Sequence, residues 1–402
     1  MNVVNEGIKT DKYKTVSASL EFIDEAMEHA LEKISSSLED FTHAFPDDTT
    51  VENRYYIRKP EKPGQDRGGN HGWTTSFWTG MIWLAYEVTA DEKYRRAAEV
   101  HIDSFHDRIV QKIDCDHHDL GFLYTLSCVS AYKLTGNEKA KEAALMAADH
   151  LMSRYFEKAG IIQAWGDLND PLQRGRIIID CLMNLPLLYW ASEATGDKKY
   201  KAAAEKHANN AYRWIVREDA STFHTYFFDP ETGDARYGKT HQGYRDDSCW
   251  ARGQAWGIYG FPLSYKYTGN HEFIQMSEKL AHYFLNRTPA DGVVYWDLAF
   301  SDDSGEEKDS SSSSIAACGL LELAKYTEIK DSQRYYERAA AAILQDLYTG
   351  YSTRNMPESN ALLLHGVYAK PENLGVDEGN LWGDYYYMEG LVRLKKNWNL
   401  YW

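Results

Sequence analysis

The sequence has few of the features that mark a membrane, disulfide-linked or nucleic-acid-binding protein. It contains no run of about 18 apolar residues, the length that crosses a bilayer. Its five cysteines are widely spaced and include no CxxC pair, so neither a disulfide framework nor a zinc ribbon is indicated. The formal net charge is −16, and no Lys/Arg cluster forms the basic face that a nucleic-acid binder needs. We therefore expect contact with neither membranes nor nucleic acids.

The N-terminal residues also lack the basic start and apolar stretch of a secretory signal peptide. The odd number of cysteines favours a reducing compartment. Together these observations predict a cytoplasmic location. The negative net charge does not exclude a small acidic ligand, because the field in a pocket is set by the few nearest groups. Such a ligand would need a dedicated cation in its pocket.

Helical periodicity is what the chain has in abundance. The same short turn motif recurs between helical patterns, for example at Tyr132–Asn137, Glu193–Asp197 and Tyr265–Asn270. Each copy places a Gly where a helix can end in a left-handed conformation, followed by an Asp or Asn that can cap the next helix. The repeated unit is therefore a helical hairpin.

Counting these units predicts twelve helices, which alternate between two kinds. One kind is apolar nearly all round and is predicted to be buried, whereas the other has a charged stripe and is predicted to lie outside. The predicted helices are 16–36, 75–89, 93–110, 121–134, 137–155, 178–194, 198–217, 248–267, 270–286, 312–327, 331–349 and 381–397. Short strands are predicted at 161–165, 223–228 and 293–297. We expect an all-α fold, an (α/α)6 barrel of six helical hairpins in which residues 1–402 form one domain; a linear solenoid is the alternative.

The unusual residues cluster just before, or at the start of, the predicted buried helices. In a barrel, the N-terminal ends of all inner helices share one mouth. The stretches are Gly68–Trp78, His117–Phe122, Gly175–Asp180, His241–Trp256, Asp309–Ser314 and Asp377–Asp384. We therefore predict a single pocket at that mouth, rich in Trp, His, Asp, Gln and Arg.

Three local patterns have alternative interpretations that their surroundings do not support. Gly233–Thr240 matches the letters of a phosphate-binding P-loop, yet the residues after it do not start a helix and no parallel sheet is predicted. Cys115–Asp119 contains metal-ligand residue types, but consecutive residues cannot all converge on one ion. The Asp309–Ser314 run is predicted to cap the helix that follows rather than to form a linker. We expect neither an NTPase nor a metal site.

Two carboxylates in these stretches are candidates for acid/base chemistry. A single Asp before a helix, such as Asp119, is usually an N-cap. Asp180 follows three isoleucines and precedes Cys-Leu-Met, so burial should raise its pKa. A raised pKa suits a general acid that works near neutral pH. Most buried Asp residues are structural, but two carboxylates entering one pocket favour acid/base chemistry on a sugar.

At these positions the sequence resembles a known family. His118–Tyr124, Arg176–Asp180, Trp250–Gly260 and Trp382–Glu389 resemble segments of the unsaturated glucuronyl hydrolases, glycoside hydrolase family 88, and the likeness runs from about Trp73 to Glu389. The resemblance implies an (α/α)6 barrel that needs no cofactor and no metal. It also implies a substrate class: oligosaccharides left by polysaccharide lyases, with a 4,5-unsaturated glucuronic acid at the non-reducing end.

The reaction that the resemblance implies is hydration of a vinyl ether. Protonation of C4 places oxocarbenium character at C5, water adds there, and the resulting hemiketal rearranges to expel the rest of the sugar. Asp180 matches the family's acid/base residue. Asp119 matches the second essential Asp, which would steer Asp180 and stabilise the developing positive charge.

The resemblance further implies that the substrate is held by aromatic and polar residues of the same mouth. Trp73 and Trp165 would be the sugar-stacking walls, and Trp256 a further ring lining the pocket. The implied polar contacts are His118, His224, Gln242 and Arg252.

One segment departs from the family members that act on sulfated glycosaminoglycan fragments. Those members carry a Ser-x-x-Ser-x-Lys segment before the last helix and an Arg near the position of His241. Here Ala369–Leu374 reads Ala-Lys-Pro-Glu-Asn-Leu, and Glu372 would repel a sulfate. We therefore predict a preference for unsulfated substrates, such as lyase products of hyaluronan, chondroitin, gellan or xanthan.

Other functions stay open on the sequence. An unsaturated rhamnogalacturonyl hydrolase would accept a pectin-derived disaccharide. A sugar epimerase on the same barrel would transfer protons with His rather than with paired Asp. A non-catalytic carbohydrate-binding helical protein would keep its function without Asp180. For the quaternary state we expect a monomer or a weak homo-oligomer.

Overall fold

The computed structural model describes residues 2–14 and 21–402, and helices make up most of it. In chain order, the helices are α1 (Phe22–Phe41), α2 (Thr75–Thr89), α3 (Glu92–Gln111), α4 (Leu120–Tyr124), α5 (Ser130–Thr135), α6 (Glu138–Met152), α7 (Cys181–Asn184), α8 (Pro186–Thr195), α9 (Lys198–Asn210), α10 (Ala251–Thr268), α11 (His271–Leu285), α12 (Ser310–Tyr326), α13 (Lys330–Asp346) and α14 (Leu381–Lys395). A π-helical turn, Thr125–Val129, joins α4 to α5. Similar turns, Ala211–Ile215 and Leu347–Tyr351, extend α9 and α13.

The helices form two rings, which confirms the predicted (α/α)6 barrel. The inner ring consists of α2, α4–α5, α7–α8, α10, α12 and α14, and each packs against the next. Helix α14 packs against both α12 and α2, so the ring is closed and the solenoid alternative is wrong. The outer helices α1, α3, α6, α9, α11 and α13 pack against the inner ones. The inner helices are buried along most of their length, whereas α3 buries one face of its surface.

The hairpin turns are built as the sequence predicts. Gly136, Gly196 and Gly269 have φ angles of 70°, 77° and 70°, a left-handed conformation that a residue without Cβ adopts freely. Helices α6, α9 and α11 each begin two residues after one of these glycines. The residue in between caps the helix: Asn137 and Asp197 accept backbone N–H bonds from the first turns of α6 and α9. Asn270 caps α11 in the same way.

Some helix boundaries differ from the prediction. The first predicted helix, 16–36, is observed as α1; it continues to Phe41, and residues 16–20 lie outside the described part of the chain. The predicted helix 178–194 begins only at Cys181, because Arg176–Ile178 pairs as a strand. Helix α12 begins at Ser310 rather than at 312, because Asp309 accepts the backbone N–H of Ser311 and caps it, as predicted.

The strands are short and antiparallel. They are β1 (Tyr155–Phe156), β2 (Ile161–Ile162), β3 (Arg176–Ile178), β4 (Thr225–Phe228), β5 (Ala235–Lys239), β6 (Gly366–Ala369) and β7 (Leu374–Glu378). They pair as β1–β2, β3–β4–β5 and β6–β7. Strands β2 and β4 fall within the predicted 161–165 and 223–228. The prediction of a strand at 293–297 is wrong: this segment makes isolated bridges to two separate partners, Trp250 to Asp297 and Tyr295 to Lys308.

The P-loop-like segment lies in the three-stranded sheet. Residues Ala235–Lys239 form β5, paired antiparallel to β4, and the next helix begins only at Ala251. A phosphate-binding loop instead leads directly into a helix whose N–H groups face the phosphates. The antiparallel pairing agrees with the sequence-based rejection of an NTPase.

Strands and loops gather at the N-terminal ends of the inner helices. Strand β3 leads into α7 through Asp180, and β6 packs against α12. The start of α10 is tied to the β6–β7 hairpin, since Arg252 donates to the backbone of β6. Among residues 2–14 and 21–402, each helix is too short or too polar to cross a bilayer.

Candidate active site

The barrel mouth holds a narrow inner cavity that opens into a wider vestibule. The inner cavity has a volume of about 170 Å³, and its lining residues are Trp73, Asp119, Trp165, Ile178, Asp180, His224, His241, Gln242, Arg252 and Tyr368. The vestibule, of about 730 Å³, shares Trp73, Asp119 and Trp165 with it and adds Lys62, Gln65, Ile113, Asp114, Asp116 and His117, among others. The aromatic and polar lining is typical of a small-ligand site.

Asp180 lies at the N-terminal end of α7, but its side chain does not cap that helix. It is 8% exposed, and its Oδ1 is buried without a hydrogen-bond partner. Burial, followed by the negative charge of Asp119, raises the pKa of Asp180 to about 7. A substantial fraction of this carboxyl is therefore protonated at neutral pH and faces the cavity.

Asp119 behaves differently, although it lines the same cavity. It precedes α4 but makes no capping hydrogen bond, so the usual role of an Asp at this position is not its role here. Burial raises the pKa of Asp119, but His118, His117 and a hydrogen bond from Asn184 outweigh burial and lower it overall. Its Oδ2 lies 3.2 Å from Nδ1 of His117. Asp119 therefore stays ionised where Asp180 holds its proton.

Arg252 is the buried cation of the cavity. Its guanidinium donates to the carbonyls of Val367 at 2.5 Å and Tyr368 at 2.7 Å, and it lies 3.4 Å from Asp309. Burial lowers its pKa, and the charges of Asp309 and Asp180 oppose that shift. An arginine stays protonated under these conditions, so the cavity holds a fixed positive charge. An acidic ligand needs such a cation in its pocket, because the net charge of the chain is negative.

His224 presents a defined tautomer to the cavity. The backbone N–H groups of His241 and Gln242 both donate to its Nδ1, at 3.1 and 3.0 Å. Burial, followed by the nearby His241, holds its pKa well below the usual range, so the ring is neutral. With Nδ1 acting as acceptor, the proton must sit on Nε2. His224 is thus a hydrogen-bond donor from Nε2.

The aromatic walls are fixed by their neighbours. Trp73 stacks on Trp382 with ring centroids 5.0 Å apart, and its indole N–H donates to the hydroxyl of Tyr368 at 2.8 Å. The guanidinium of Arg176 lies 4.7 Å from the ring of Trp165. Rings held in this way offer flat apolar faces of the kind on which a sugar stacks.

The structure brings most of the predicted site residues to the inner cavity. Those that line it are Asp119, Asp180, Trp73, Trp165, His224, Gln242 and Arg252. His118 and Trp256 lie elsewhere: both are buried, and neither lines the cavity or the vestibule.

His118 and Trp256 each lie next to one of the two carboxylates. Nε2 of His118 lies 3.4 Å from Oδ1 of Asp119, and burial lowers the pKa of His118 to about 4. Trp256 lies close enough to Asp180 to favour its ionised form. His118 therefore contacts Asp119, and its role as a direct substrate contact stays a prediction.

Sequence reasoning missed Ile178 and Tyr368 as lining residues. Ile178 is the last residue of β3, and its place in the lining follows only from the path of that strand to the mouth. Tyr368 adjoins the Ala369–Leu374 segment, but only the fold of the β6–β7 hairpin brings it to the cavity. No local pattern in the sequence distinguishes Tyr368 from the other tyrosines.

Within residues 2–14 and 21–402, no three His, Cys, Asp or Glu side chains are arranged to hold a metal ion. In the Cys115–Asp119 segment, the Cys115 thiol instead contacts the backbone carbonyl of Ile113 at 3.3 Å. His117 places Nε2 3.0 Å from the carbonyl of Asp114. For acid/base chemistry the cavity offers a largely protonated carboxyl, an ionised carboxylate and a fixed cation.

Comparison with known proteins gives a consistent result. Residues 49–396 match the profile of Glycosyl Hydrolase Family 88. An unsaturated chondroitin disaccharide hydrolase of Streptococcus pyogenes serotype M1 is 46% identical over 385 residues, which cover 96% of this chain and 94% of that protein. The crystal structure of an unsaturated glucuronyl hydrolase from Streptococcus agalactiae has a TM-score of 0.94 at 44% identity and covers 100% of this chain and 99% of its own. A mutant of that enzyme complexed with dGlcA-GalNAc6S has a TM-score of 0.87 at 41% identity, with the same coverage.

Proposed function

Because this chain belongs to glycoside hydrolase family 88, we propose that it releases 4,5-unsaturated glucuronic acid from the non-reducing end of lyase-generated oligosaccharides. One observation carries this function: a buried carboxyl with a pKa of about 7 and an unpartnered oxygen faces a sugar-sized cavity beside a second, ionised carboxylate. The chain is thus a glycosidase whose acid is Asp180.

The first step is protonation of the C4=C5 double bond. The neutral carboxyl of Asp180 gives its proton to C4, and the ring oxygen donates electron density so that positive charge develops at C5. The ionised Asp119 stabilises that charge at short range in a cavity of low polarity. Asp180 can give this proton because burial and the charge of Asp119 keep it neutral before the step.

The second step is addition of water at C5. The carboxylate of Asp180 accepts a proton as water attacks, which restores the acid and leaves a hemiketal at C5. The C5–O5 bond then breaks, giving a C5 ketone and a hemiacetal at C1. That hemiacetal collapses to an aldehyde and releases the remaining sugar, so no glycosyl ester to either Asp forms.

Arg252 and His224 orient the uronic acid for this chemistry. Arg252 provides positive charge for the substrate carboxylate, and Nε2–H of His224 provides a neutral donor. The uronic acid ring would stack between Trp73 and Trp165. The remaining sugars would lie in the vestibule, which these two residues also line. Held in this way, the vinyl ether can meet the proton of Asp180 directly.

The test is loss of ultraviolet absorbance from the conjugated C4=C5 carboxylate. The purified protein, without added metal, is mixed with an unsaturated unsulfated chondroitin disaccharide, and Asp180→Asn is run beside it. Loss of absorbance with the wild type alone is expected. If both proteins leave the absorbance unchanged but a pectin-derived unsaturated disaccharide is consumed, the chain is a rhamnogalacturonyl hydrolase and the proposal is wrong. Binding without turnover of either substrate would instead indicate a carbohydrate-binding protein.

We further propose that the chain prefers unsulfated substrates. Glu372 stands on the β6–β7 hairpin, and its carboxylate lies 3.6 Å from Nε2 of His241, which lines the inner cavity. Burial, partly offset by Glu372, lowers the pKa of His241, so at neutral pH the His is largely uncharged. The Streptococcus agalactiae enzyme is complexed with a sulfated disaccharide. At the cavity rim of this chain, a sulfate would meet a carboxylate instead of a cation.

This preference is tested with a single charge removal. Glu372→Gln is expected to raise kcat/KM for a 6-sulfated unsaturated disaccharide by about threefold, because it removes one half-exposed negative charge. The kcat/KM for the unsulfated analogue should stay unchanged. Asp331→Asn is the matched control, because it removes one negative charge from the exposed start of α13. Faster cleavage of the sulfated than of the unsulfated disaccharide by the wild type would refute the preference.

We also propose a cytoplasmic location, which is supported by the thiols. Cys115, Cys128, Cys181, Cys249 and Cys318 are all buried and unpaired. Buried free thiols are common where thiols are kept reduced. Fractionation of the producing cells would test the location. The assignment of residues 1–402 to one catalytic domain and the monomeric or weakly oligomeric state stay predictions.

A further inference from the structure

A short segment crosses the closed end of the barrel, opposite the mouth. We call residues 397–402, which follow α14, the floor strap. Glu87 of α2 accepts the indole N–H of Trp398 at 2.7 Å and the hydroxyl of Tyr401 at 2.6 Å. Lys133 of α5 donates to the carbonyl of Tyr401 at 2.7 Å, and Lys266 of α10 donates to Trp402 O at 2.9 Å. The floor strap therefore ties together the C-terminal ends of three inner helices.

The ring of Trp402 is inserted from the floor strap into the middle of the barrel. It is completely buried, and its indole N–H donates to Glu389 of α14 at 2.9 Å. The ring stacks parallel to Tyr386, with an interplanar angle of 8° at 6.0 Å. It also meets Phe122 edge-on at 6.0 Å. Trp402 thus fills the space between inner helices that come from different parts of the chain.

The rings that Trp402 touches lead to the catalytic cavity. Trp256 lies 5.4 Å from Tyr386 and 5.3 Å from Phe122, measured between ring centroids. Trp256 in turn lies close enough to Asp180 to affect its ionisation. Phe122 also lies 5.8 Å from Trp73, a wall of the cavity. An unbroken column of aromatic rings therefore connects the floor strap to the acid.

We propose that Trp402 is a positioning residue for the reaction: from the floor strap, it holds the aromatic column beneath Asp180 fixed and dry. Close-packed rings exclude water, whereas a hole beside buried polar groups admits it. The indole N–H of Trp256 faces Asp180, but neither it nor Oδ1 of Asp180 makes a close hydrogen bond, so water entering from below would find polar partners there. Solvation of Asp180 favours its ionised form and so weakens it as a proton donor at neutral pH.

The inference rests on the proposed function for its kinetic test. In Trp402→Ala, kcat is expected to fall about tenfold and KM to change less, since the cavity walls stay in place while the acid is altered. The alkaline limb of the kcat profile should move to lower pH by about half a unit, because Asp180 loses part of its desolvation. Trp402→Phe keeps a ring in the column, so its kcat and its alkaline limb are expected to stay close to those of the wild type.

The matched control is Trp398→Ala, measured at a temperature at which circular dichroism shows every variant folded. Trp398 belongs to the same floor strap and bonds to Glu87, but its ring contacts Tyr401 rather than the column. It should lower the melting temperature and leave the pH profile unchanged. An unshifted profile in Trp402→Ala, or an equal shift in Trp398→Ala, would overturn the inference. If Trp402→Ala does not fold, Trp402→Leu takes its place in the same comparison.

A second readout needs no substrate and separates this inference from the proposed function. The pKa of Asp180 is raised in the fold, so its ionisation opposes folding, and Asp180→Asn should gain stability over its parent as pH rises from about 4 to about 7. In the Trp402→Ala background, this pH-dependent gain in melting temperature should shrink. Shrinkage without any turnover of unsaturated disaccharides would contradict the proposed function alone. An unchanged gain, with turnover intact, would contradict the role of Trp402 alone.

Discussion

Two buried carboxylates at the closed end of the barrel and Asp180 at its mouth are partnered in opposite ways. At the closed end, Arg393 lies 3.1 Å from Glu322 and 3.0 Å from Glu389, and Tyr259 donates to Glu389 at 2.5 Å. At the mouth, Oδ1 of Asp180 has no hydrogen-bond partner. Charges that compensate one another hold the floor together, whereas an uncompensated carboxyl stays reactive. The difference shows where stability and chemistry reside in this fold.

A second pair of residues sharpens that difference. Burial raises the pKa of both Asp180 and Asp384 to about 7. Asp384, at the start of α14, nevertheless accepts the N–H groups of Leu362 and Leu363 and the hydroxyl of Tyr55. A raised pKa alone therefore does not identify the acid; an unpartnered oxygen facing a cavity does.

The largest expected effect comes from removing the two acids in turn. Asp180→Asn should lower kcat by about 1,000-fold, the contribution of a positioned general acid, with substrate binding retained. Asp384→Asn should keep most of the turnover of the folded protein but melt at a lower temperature, because an amide serves three donors poorly. Steady-state kinetics and thermal melts of both variants measure this. Comparable losses of kcat in the two folded variants would contradict the assignment of Asp180.

The next effect concerns the floor. Arg393→Met removes the buried cation that Glu322 and Glu389 share, so the free energy of unfolding should fall by about 3 kcal/mol. Lys325→Met is the matched control: Lys325 contacts the same Glu322 at 2.9 Å, but its side chain is 43% exposed, and the loss should stay below about 1 kcal/mol. Denaturant titration of both variants tests the difference. Equal losses would show that the floor is no better compensated than the surface.

A smaller and opposite effect is expected for stability at the mouth. Because the pKa of Asp180 rises from its ordinary value to about 7 on folding, the ionised form is disfavoured in the fold. The wild type therefore loses stability as pH rises from about 4 to about 7, and the margin by which Asp180→Asn exceeds it should widen by on the order of 2 kcal/mol between pH 5 and pH 8. Denaturant titrations at pH 5 and pH 8 measure the gap. A gap that narrows towards pH 8 would have the wrong sign for this account.

The rings of helices could be predicted from the sequence because their determinants are local. Apolar periodicity separates inner from outer helices, and Gly136-Asn137 or Gly196-Asp197 marks each turn within a few residues. Ring closure was expected from the count of hairpins but depends on α14 meeting α2, which no local pattern encodes. The segment 293–297 misled the prediction because its β-type residues pair with two distant partners, one residue at a time.

The site was predictable to the same extent and for the same reason. Asp180 follows an apolar run, which foretells burial and a raised pKa. The direction of a side chain just before a helix depends on tertiary packing, so the contact of His118 with Asp119 could not be predicted. Tyr368 and Trp402 reach their places through contacts with residues far away in the sequence. Long-range contacts of this kind leave no periodic signal.

The smallest expected shift tests how far the charge of Asp119 keeps Asp180 protonated. The charge of Asp119 is the second cause, after burial, of the raised pKa of Asp180. Asp119→Asn should therefore lower the pKa of Asp180 and move the alkaline limb of the kcat profile to lower pH by about one unit, a tenfold loss above neutrality. Asp116→Asn is the matched control, since Asp116 lines the vestibule but is 90% exposed and its charge is screened by solvent. A limb that stays in place in Asp119→Asn would mean that burial alone keeps Asp180 protonated. The mouth would then keep its acid neutral by desolvation, and Asp119 would act only on the positive charge that develops at C5.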